Sequence, residues 1–203
     1  MKKVSHFSIF GFAILLISHP VLAGPITLGF GPNSQNATLG TAANVVVNIS
    51  GLGAFTAPSL GTYDLVVNYD PAILSYNSVA FGDPILGDQL DLFGLGSITS
   101  ITQGAGLFIF ELSLDSADDL NLLQAPAFTL FTLTFDSIGL GTSSLGLVIN
   151  ALGDADGAAL DASVESGSIT VSDSTTAVPE PSTFFLLGSG MLGIICLART
   201  RFS

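Results

Sequence analysis

The sequence predicts an all-β fold, an antiparallel β-sandwich set between two apolar terminal segments. Three observations lead there. Residues 24–172 are broken into many short runs of alternating apolar and polar residues, each ended by Gly, Asn, Asp or Pro. No long amphipathic helix interrupts them, so sheet must pack on sheet rather than on helix. The charges are segregated: the four basic residues Lys2, Lys3, Arg199 and Arg201 lie at the ends, and all sixteen acids fall between Asp64 and Glu180.

The N-terminal segment opens Met1-Lys2-Lys3 and continues with an apolar run from Phe7 to Ile17, a break at His19-Pro20, and then Val21-Leu22-Ala23. A basic start, a short apolar run and a small residue before a cleavage point are the marks of a secretory signal helix over 1–23, cut by signal peptidase after Ala23. The run is too short to span a bilayer as a retained anchor.

Within the middle stretch, Asn44–Ile49 reads as a strand with Val45, Val47 and Ile49 on the inner face. Thr62–Asp70 is the cleanest alternation, with Tyr63, Leu65, Val67 and Tyr69 pointing one way. Pro71–Leu74 and Asp118–Leu123 read as single helical turns. Leu107–Leu114 groups Phe108, Phe110, Leu112 and Leu114 on one face and leaves Glu111 on the opposite, wet one. Phe128–Phe135 slips in phase, and a bulge near Leu130-Phe131 reconciles its two halves. Leu145–Ala151, Ala158–Val164 and Ser168–Val171 complete the series, with hairpin turns at Asp154-Ala155-Asp156-Gly157 and Ser166-Gly167.

After a linker at 173–178 comes Pro179-Glu180-Pro181, which cannot continue a helix. An apolar run from Phe184 to Leu197 follows, and the arginines Arg199 and Arg201 close it as a cytoplasmic basic cluster. Fourteen helical residues reach only about 21 Å of a hydrocarbon core roughly 30 Å thick, so a transmembrane helix over 184–198 leans on snorkelling or local thinning. With the N-terminal signal this places the middle domain outside the cytoplasm, anchored at the inner membrane.

The order Pro-Glu-Pro, short Gly-containing helix, terminal arginines resembles the PEP-CTERM sorting signal over 179–203. That resemblance implies recognition by the membrane protease-transpeptidase exosortase, with Pro179, Glu180 and Pro181 as the motif read by the enzyme. It also implies cell-surface display or release after processing, and a setting of exopolysaccharide, biofilm or floc.

Several middle segments resemble the cohesin family, jelly-roll modules of nine strands related to some carbohydrate-binding modules. The run from Tyr63 to Leu74, containing Tyr69-Asp70-Pro71, matches a strand followed by Tyr-Asp-Pro and a short turn. Ser78-Val79-Ala80-Phe81-Gly82, Leu130–Phe135 and Gly153–Val171 match later pieces. The resemblance implies an antiparallel jelly-roll of about nine strands over 24–172 and a binding rather than catalytic role. No dockerin-recognition motif is present to carry a partner over.

The chemistry is bounded by what is missing. Residues 24–180 hold sixteen acids and no Lys, Arg, His, Cys or Trp, within a formal net charge of −12 for the chain. Such a surface repels nucleic acid and anionic lipid and attracts cations or basic partners. Intradomain disulfides, His- or Cys-based zinc sites and Ser-His-Asp or Cys-His catalysis are excluded. Carboxylate-only chemistry survives. A glycosidase needs a paired acid and nucleophile or base, but nothing singles out a pair among Glu111, Glu165 and the aspartates. Calcium is the one cofactor to weigh. Asp154, Asp156 and Asp161 resemble part of an EF-hand loop, yet Leu152, with no side-chain oxygen, stands at the first ligand position and Ser163 where the closing Glu belongs. A tight turn using Asp and Gly explains the same residues. The sequence therefore points to a non-enzymatic interaction module with a protein or extracellular polysaccharide partner, or alternatively to a carbohydrate-binding module, calcium-assisted or not. Sugar platforms favour exposed aromatics. Tyr63, Tyr69 and Tyr76 are the only tyrosines, and two of them are placed inward.

Overall fold

A computed structural model describes residues 24–173. The signal segment expected to end at Ala23, the linker beyond Asp173 and the 179–203 tail, with the helix expected over 184–198, lie outside the described residues. The described chain forms β1 (Ile26–Gly31), β2 (Ser34–Thr38), β3 (Ala42–Ser50), β4 (Leu60–Asn68), β5 (Leu74–Phe81), β6 (Ile98–Gln103), β7 (Leu107–Leu112), α1 (Ala117–Leu123), β8 (Ala127–Ser137), β9 (Gly141–Asp154), β10 (Ala162–Val164) and β11 (Gly167–Ser172).

These strands build two facing sheets. One has the order β10-β1-β3-β8-β5 and the other β2-β11-β9-β4-β7-β6. The core between them is supplied by period-two alternation. Val45, Val47 and Ile49 of β3, and Tyr63, Leu65 and Val67 of β4, are all buried as the alternation required. Tyr63 packs on Phe131 with ring centroids 5.9 Å apart, and Tyr69 on Phe135 at 4.9 Å. The buried apolar cluster runs from Ile26 to Val171, so the sandwich closes its core within itself.

The bulge falls where the phase slip demanded it. Val47 pairs with Phe131 but Asn48 pairs with Thr129, leaving Leu130 as the extra residue. Both single helical turns form. At the first, the Asp70 carbonyl accepts from the Leu74 amide at 2.9 Å. At the second, α1 is capped by the Ser116 hydroxyl, which accepts from the Asp119 amide at 3.2 Å, with Asp118 and Asp119 against the positive end of the helix.

Four expectations are corrected. The sandwich has eleven described strands in two mixed sheets rather than about nine in antiparallel sheets. β1 runs parallel to β10, and β11 parallel to β2. The cause is a double crossing: the N-terminal segment leaves one sheet after β1 and joins the other as β2, and the C-terminal segment does the same between β10 and β11. Ser166-Gly167 is therefore a sheet switch and not a hairpin turn. The strand expected over Ala158–Val164 is reduced to Ala162–Val164, because the preceding residues fold back on β9, with Leu160 donating its amide to the Leu152 carbonyl at 2.8 Å. The fourth correction concerns β7 and alters the chemistry.

Candidate functional site

β7 is turned over relative to its sequence reading. It pairs with β4 so that Leu107, Ile109 and Glu111 lie opposite Val67, Leu65 and Tyr63. Leu107, Ile109 and Glu111 are fully buried, Phe108 faces water, Phe110 and Leu112 are half-buried, and Leu114 is exposed. Register with an already buried strand outweighed the apolar character of Phe108, Phe110 and Leu112.

A carboxylate can occupy that inner position because donors meet it. The Tyr63 hydroxyl donates to one Glu111 oxygen at 2.7 Å, and the Ser97 hydroxyl donates to the other at 2.5 Å. No cation is available to it anywhere in residues 24–180. Burial lifts the Glu111 carboxyl from its ordinary 4.5 to about 7, the nearby Asp88 carboxylate adds to the rise, and the two hydroxyls hold it back. The same burial, with Glu111 beside it, raises the Tyr63 phenol well above its usual range.

The turnover of β7 creates an outward face on β6-β7-β4-β9. Val148, Val66, Phe108 and Thr102 line up as one cross-strand row, and Asp64, Phe110 and Ser100 as the next. Phe108 is 39 % exposed and Val148 48 %. Asp64, Ser100, Thr102, Phe108 and Phe110 line a shallow depression of about 420 Å³. The Asn150 side-chain amide donates to the Asp64 carboxylate at 3.2 Å and fixes it at the rim. An aromatic floor with a few oriented polar groups suits recognition. Among the residues lining it Asp64 is the one titratable group, and it is hydrogen-bonded to Asn150 rather than to the Ser100 or Thr102 hydroxyl.

The calcium candidates sit elsewhere. One Asp154 carboxylate oxygen accepts from the Asp156 amide at 3.0 Å and the Ala158 amide at 2.7 Å, and Gly157 adopts φ +85° to close the turn. Among the described residues no three His, Cys, Asp or Glu side chains converge as metal ligands, and Asp161 is not gathered with Asp154 and Asp156. The sequence hides the Glu111 site because grouping Phe108, Phe110, Leu112 and Leu114 inward sends Glu111 to the wet face. The alternation Leu107, Ile109, Glu111 becomes a signal only once pairing with β4 fixes the inward side.

The fold is that of the cohesin modules. The sandwich is similar to a non-cellulosomal cohesin from the hyperthermophilic archaeon Archaeoglobus fulgidus, with TM-score 0.55 and 18 % identity over 76 % of this chain and 96 % of that one. It is also similar to the seventh ScaB type I cohesin from Pseudobacteroides cellulosolvens, with TM-score 0.57 and 17 % identity over 74 % and 94 %. A type I cohesin–dockerin complex from Clostridium thermocellum matches with TM-score 0.58 and 13 % identity over 73 % and 100 %. At these identities the likeness defines the fold. The tail is identified separately: residues 177–201 match the PEP-CTERM protein-sorting motif. No curated protein matches the chain.

Proposed function

We propose that this chain is an exported, non-enzymatic interaction module that is sorted by its tail and binds a partner on the outer face of β6-β7-β4-β9. The observation that carries the reading is that face. It holds a half-open aromatic depression floored by Phe108 and Phe110, on a sandwich whose 24–180 stretch has no His, Cys or Lys with which to run nucleophilic catalysis. The match at 177–201 supports the sorting half of the proposal. In that reading signal peptidase cuts after Ala23, the 184–198 helix holds the protein in the inner membrane with Arg199 and Arg201 on the cytoplasmic side, and exosortase processes the chain at Pro179-Glu180-Pro181. The domain is then displayed or released among extracellular polymer.

Affinity capture with the 24–173 sandwich from culture supernatant and matrix extract tests the binding half. Phe108→Ser should lose the captured partner while the melting point is kept. A partner that survives Phe108→Ser places binding elsewhere. Release of reducing sugar that is lost on replacing one Asp or Glu would make the protein a glycosidase, and glycan retention without turnover would make it a carbohydrate-binding module. Mass spectrometry of the mature protein tests the sorting half, with an end expected between Val178 and Pro181. An intact Ser203 terminus in the mature pool overturns it.

A further inference from the structure

At the end of the sandwich where β4 starts and β5 ends, a long loop is held in a fixed shape and displays apolar side chains. The loop spans residues 82–97, between β5 and β6. Connections of this length without secondary structure are uncommon unless they serve binding. It is tied down along its length. One Asp83 carboxylate oxygen accepts from the Ile85 amide at 2.8 Å and the Leu86 amide at 2.9 Å. Asp91 accepts from the Gly96 amide at 2.9 Å, and Asp115 reaches across to accept from the Leu92 amide at 2.7 Å. Buried Gln89 and Gln124 fasten its middle: the Gln124 side-chain amide donates to the Gln89 backbone carbonyl, and the Ala125 backbone amide donates to the Gln89 side-chain oxygen, each at 2.9 Å. Ser97 anchors its end on Glu111.

This fixed frame holds apolar residues in water. Ile85 is 90 % exposed and Leu95 70 %, with Leu86 and Phe93 more than half exposed. At the same end, in the loop after β3, Phe55 is 67 % exposed and held at φ +56°, a conformation costly for a bulky residue. Scattered exposed Leu or Ile is ordinary, but four exposed large apolar residues between positions 85 and 95 of one tied-down loop mark a contact site. The charge around it restricts the occupant. Asp83, Asp88, Asp91, Asp115, Asp118 and Asp119 belong to this end, and residues 24–173 contain no cation to offset them. A second copy brings the same carboxylates to the contact, and an anionic lipid surface brings phosphate. Both are repelled.

We propose that the 82–97 loop end is a second docking surface, separate from the sheet face, for a cationic amphipathic polypeptide segment. Its apolar side covers Ile85, Leu86, Phe93 and Leu95, and its Lys or Arg side chains meet the surrounding carboxylates.

The test uses the 24–173 sandwich, whose core is self-contained, and a short labelled peptide of Leu and Lys with the Leu residues at helical spacing. A second peptide of the same charge carries Ser in place of Leu. Anisotropy should show the Leu peptide binding at least about tenfold more tightly than the Ser peptide, and weakening steeply as salt rises. The double variant Ile85→Ser/Leu95→Ser should weaken it by about tenfold or more, whereas Leu140→Ser, at the opposite end, should change it less than about twofold. Amide-exchange protection should fall on residues 82–97. Equal affinity for the two peptides overturns the proposal, because charge alone would then explain binding. So do an unaffected double variant and protection centred on Phe108. Self-association of the free sandwich that the double variant abolishes would make a second copy the occupant. Flotation with phosphatidylethanolamine–phosphatidylglycerol vesicles through the same residues would make it lipid. Either result overturns the polypeptide assignment.

Discussion

Replacing Glu111 with Gln should make the sandwich more stable at neutral and alkaline pH and flatten its response to pH. In the folded chain burial holds the carboxyl at about 7, against an ordinary value of 4.5. Between those values the folded state keeps a proton that the unfolded state has lost. The stabilisation is complete below about pH 4.5, declines as pH rises through about 7, and is gone above it. At about 1.4 kcal/mol for each pH unit across that window, the ceiling is about 3 kcal/mol. The partner Ser97 is itself only half-buried and lets the surroundings screen part of the charge, so about 2 kcal/mol is the working figure, or about 4–8 °C of melting point for a domain of this size. The substituted amide would keep the shape and a carbonyl to accept from Tyr63 or Ser97, but carry no charge. Thermal melts every half unit from pH 5 to pH 8 check it: the parent should lose several degrees that E111Q does not, and E111Q should melt higher at pH 8. Parallel curves for the two proteins would refute the assignment of the titration to Glu111.

Tyr63→Phe removes a donor that favours the charged carboxylate, so it should cost about 1–2 kcal/mol, with the larger loss above pH 7; urea titrations at pH 5.5 and pH 8 read the difference. Gln124→Leu strands the Leu60 amide and carbonyl, which Gln124 meets at 2.6 and 2.9 Å, together with the Gln89 carbonyl. It should cost about 3 kcal/mol by urea titration and increase amide exchange through 82–97. Melting in EDTA and in millimolar calcium should agree to within a few degrees, because the Asp154 oxygen is already taken by two backbone amides; a rise of about 10 °C with calcium would expose a cation site.

How much of this was legible in the sequence depends on whether an element's pattern was set by its own residues or by its neighbours. β3 and β4 were readable because Val45-Val47-Ile49 and Tyr63-Leu65-Val67 alternate without conflict. The bulge at Leu130 was readable because the phase slip in β8 has no other solution. β7 was misread because both of its faces are apolar, and only its pairing with β4 decides which face is inward. That same ambiguity hid Glu111, whose burial needs a hydroxyl from Tyr63 and another from Ser97, one on a different strand and one on a loop. The parallel pairs β1–β10 and β11–β2 were unreadable for a similar reason. Each joins segments more than a hundred residues apart, and nothing local to Ile26–Gly31 or Gly167–Ser172 announces a sheet switch. The 82–97 loop was passed over because its frame is made by isolated Asp and Gln side chains, which look in sequence like ordinary polar loop residues.

The sandwich also has a direction. The chain leaves it after Ser172, whose carbonyl accepts from the Leu39 amide at 3.0 Å, and the neighbouring Gly40 amide donates to the Ser137 carbonyl at 2.8 Å. The exit therefore sits with the turns at 39–41 and 137–141, where β4 ends and β5 begins. β4 starts, and β5 ends, at the other end, among the loops at 51–59 and 82–97 and α1. Ten residues separate Asp173 from Phe184, about 33 Å if fully extended. If residues 184–198 are held in a bilayer, as proposed, the exit end is the tethered one. The 82–97 platform then stands at the end remote from the exit, and the Phe108 face lies along the side. The repulsion between this anionic domain and anionic headgroups favours that upright posture over one lying on the membrane. A sandwich in that posture leaves the side face and the far end free at the same time, so two partners of different chemistry need not compete, and cutting the tail frees the domain without disturbing either surface.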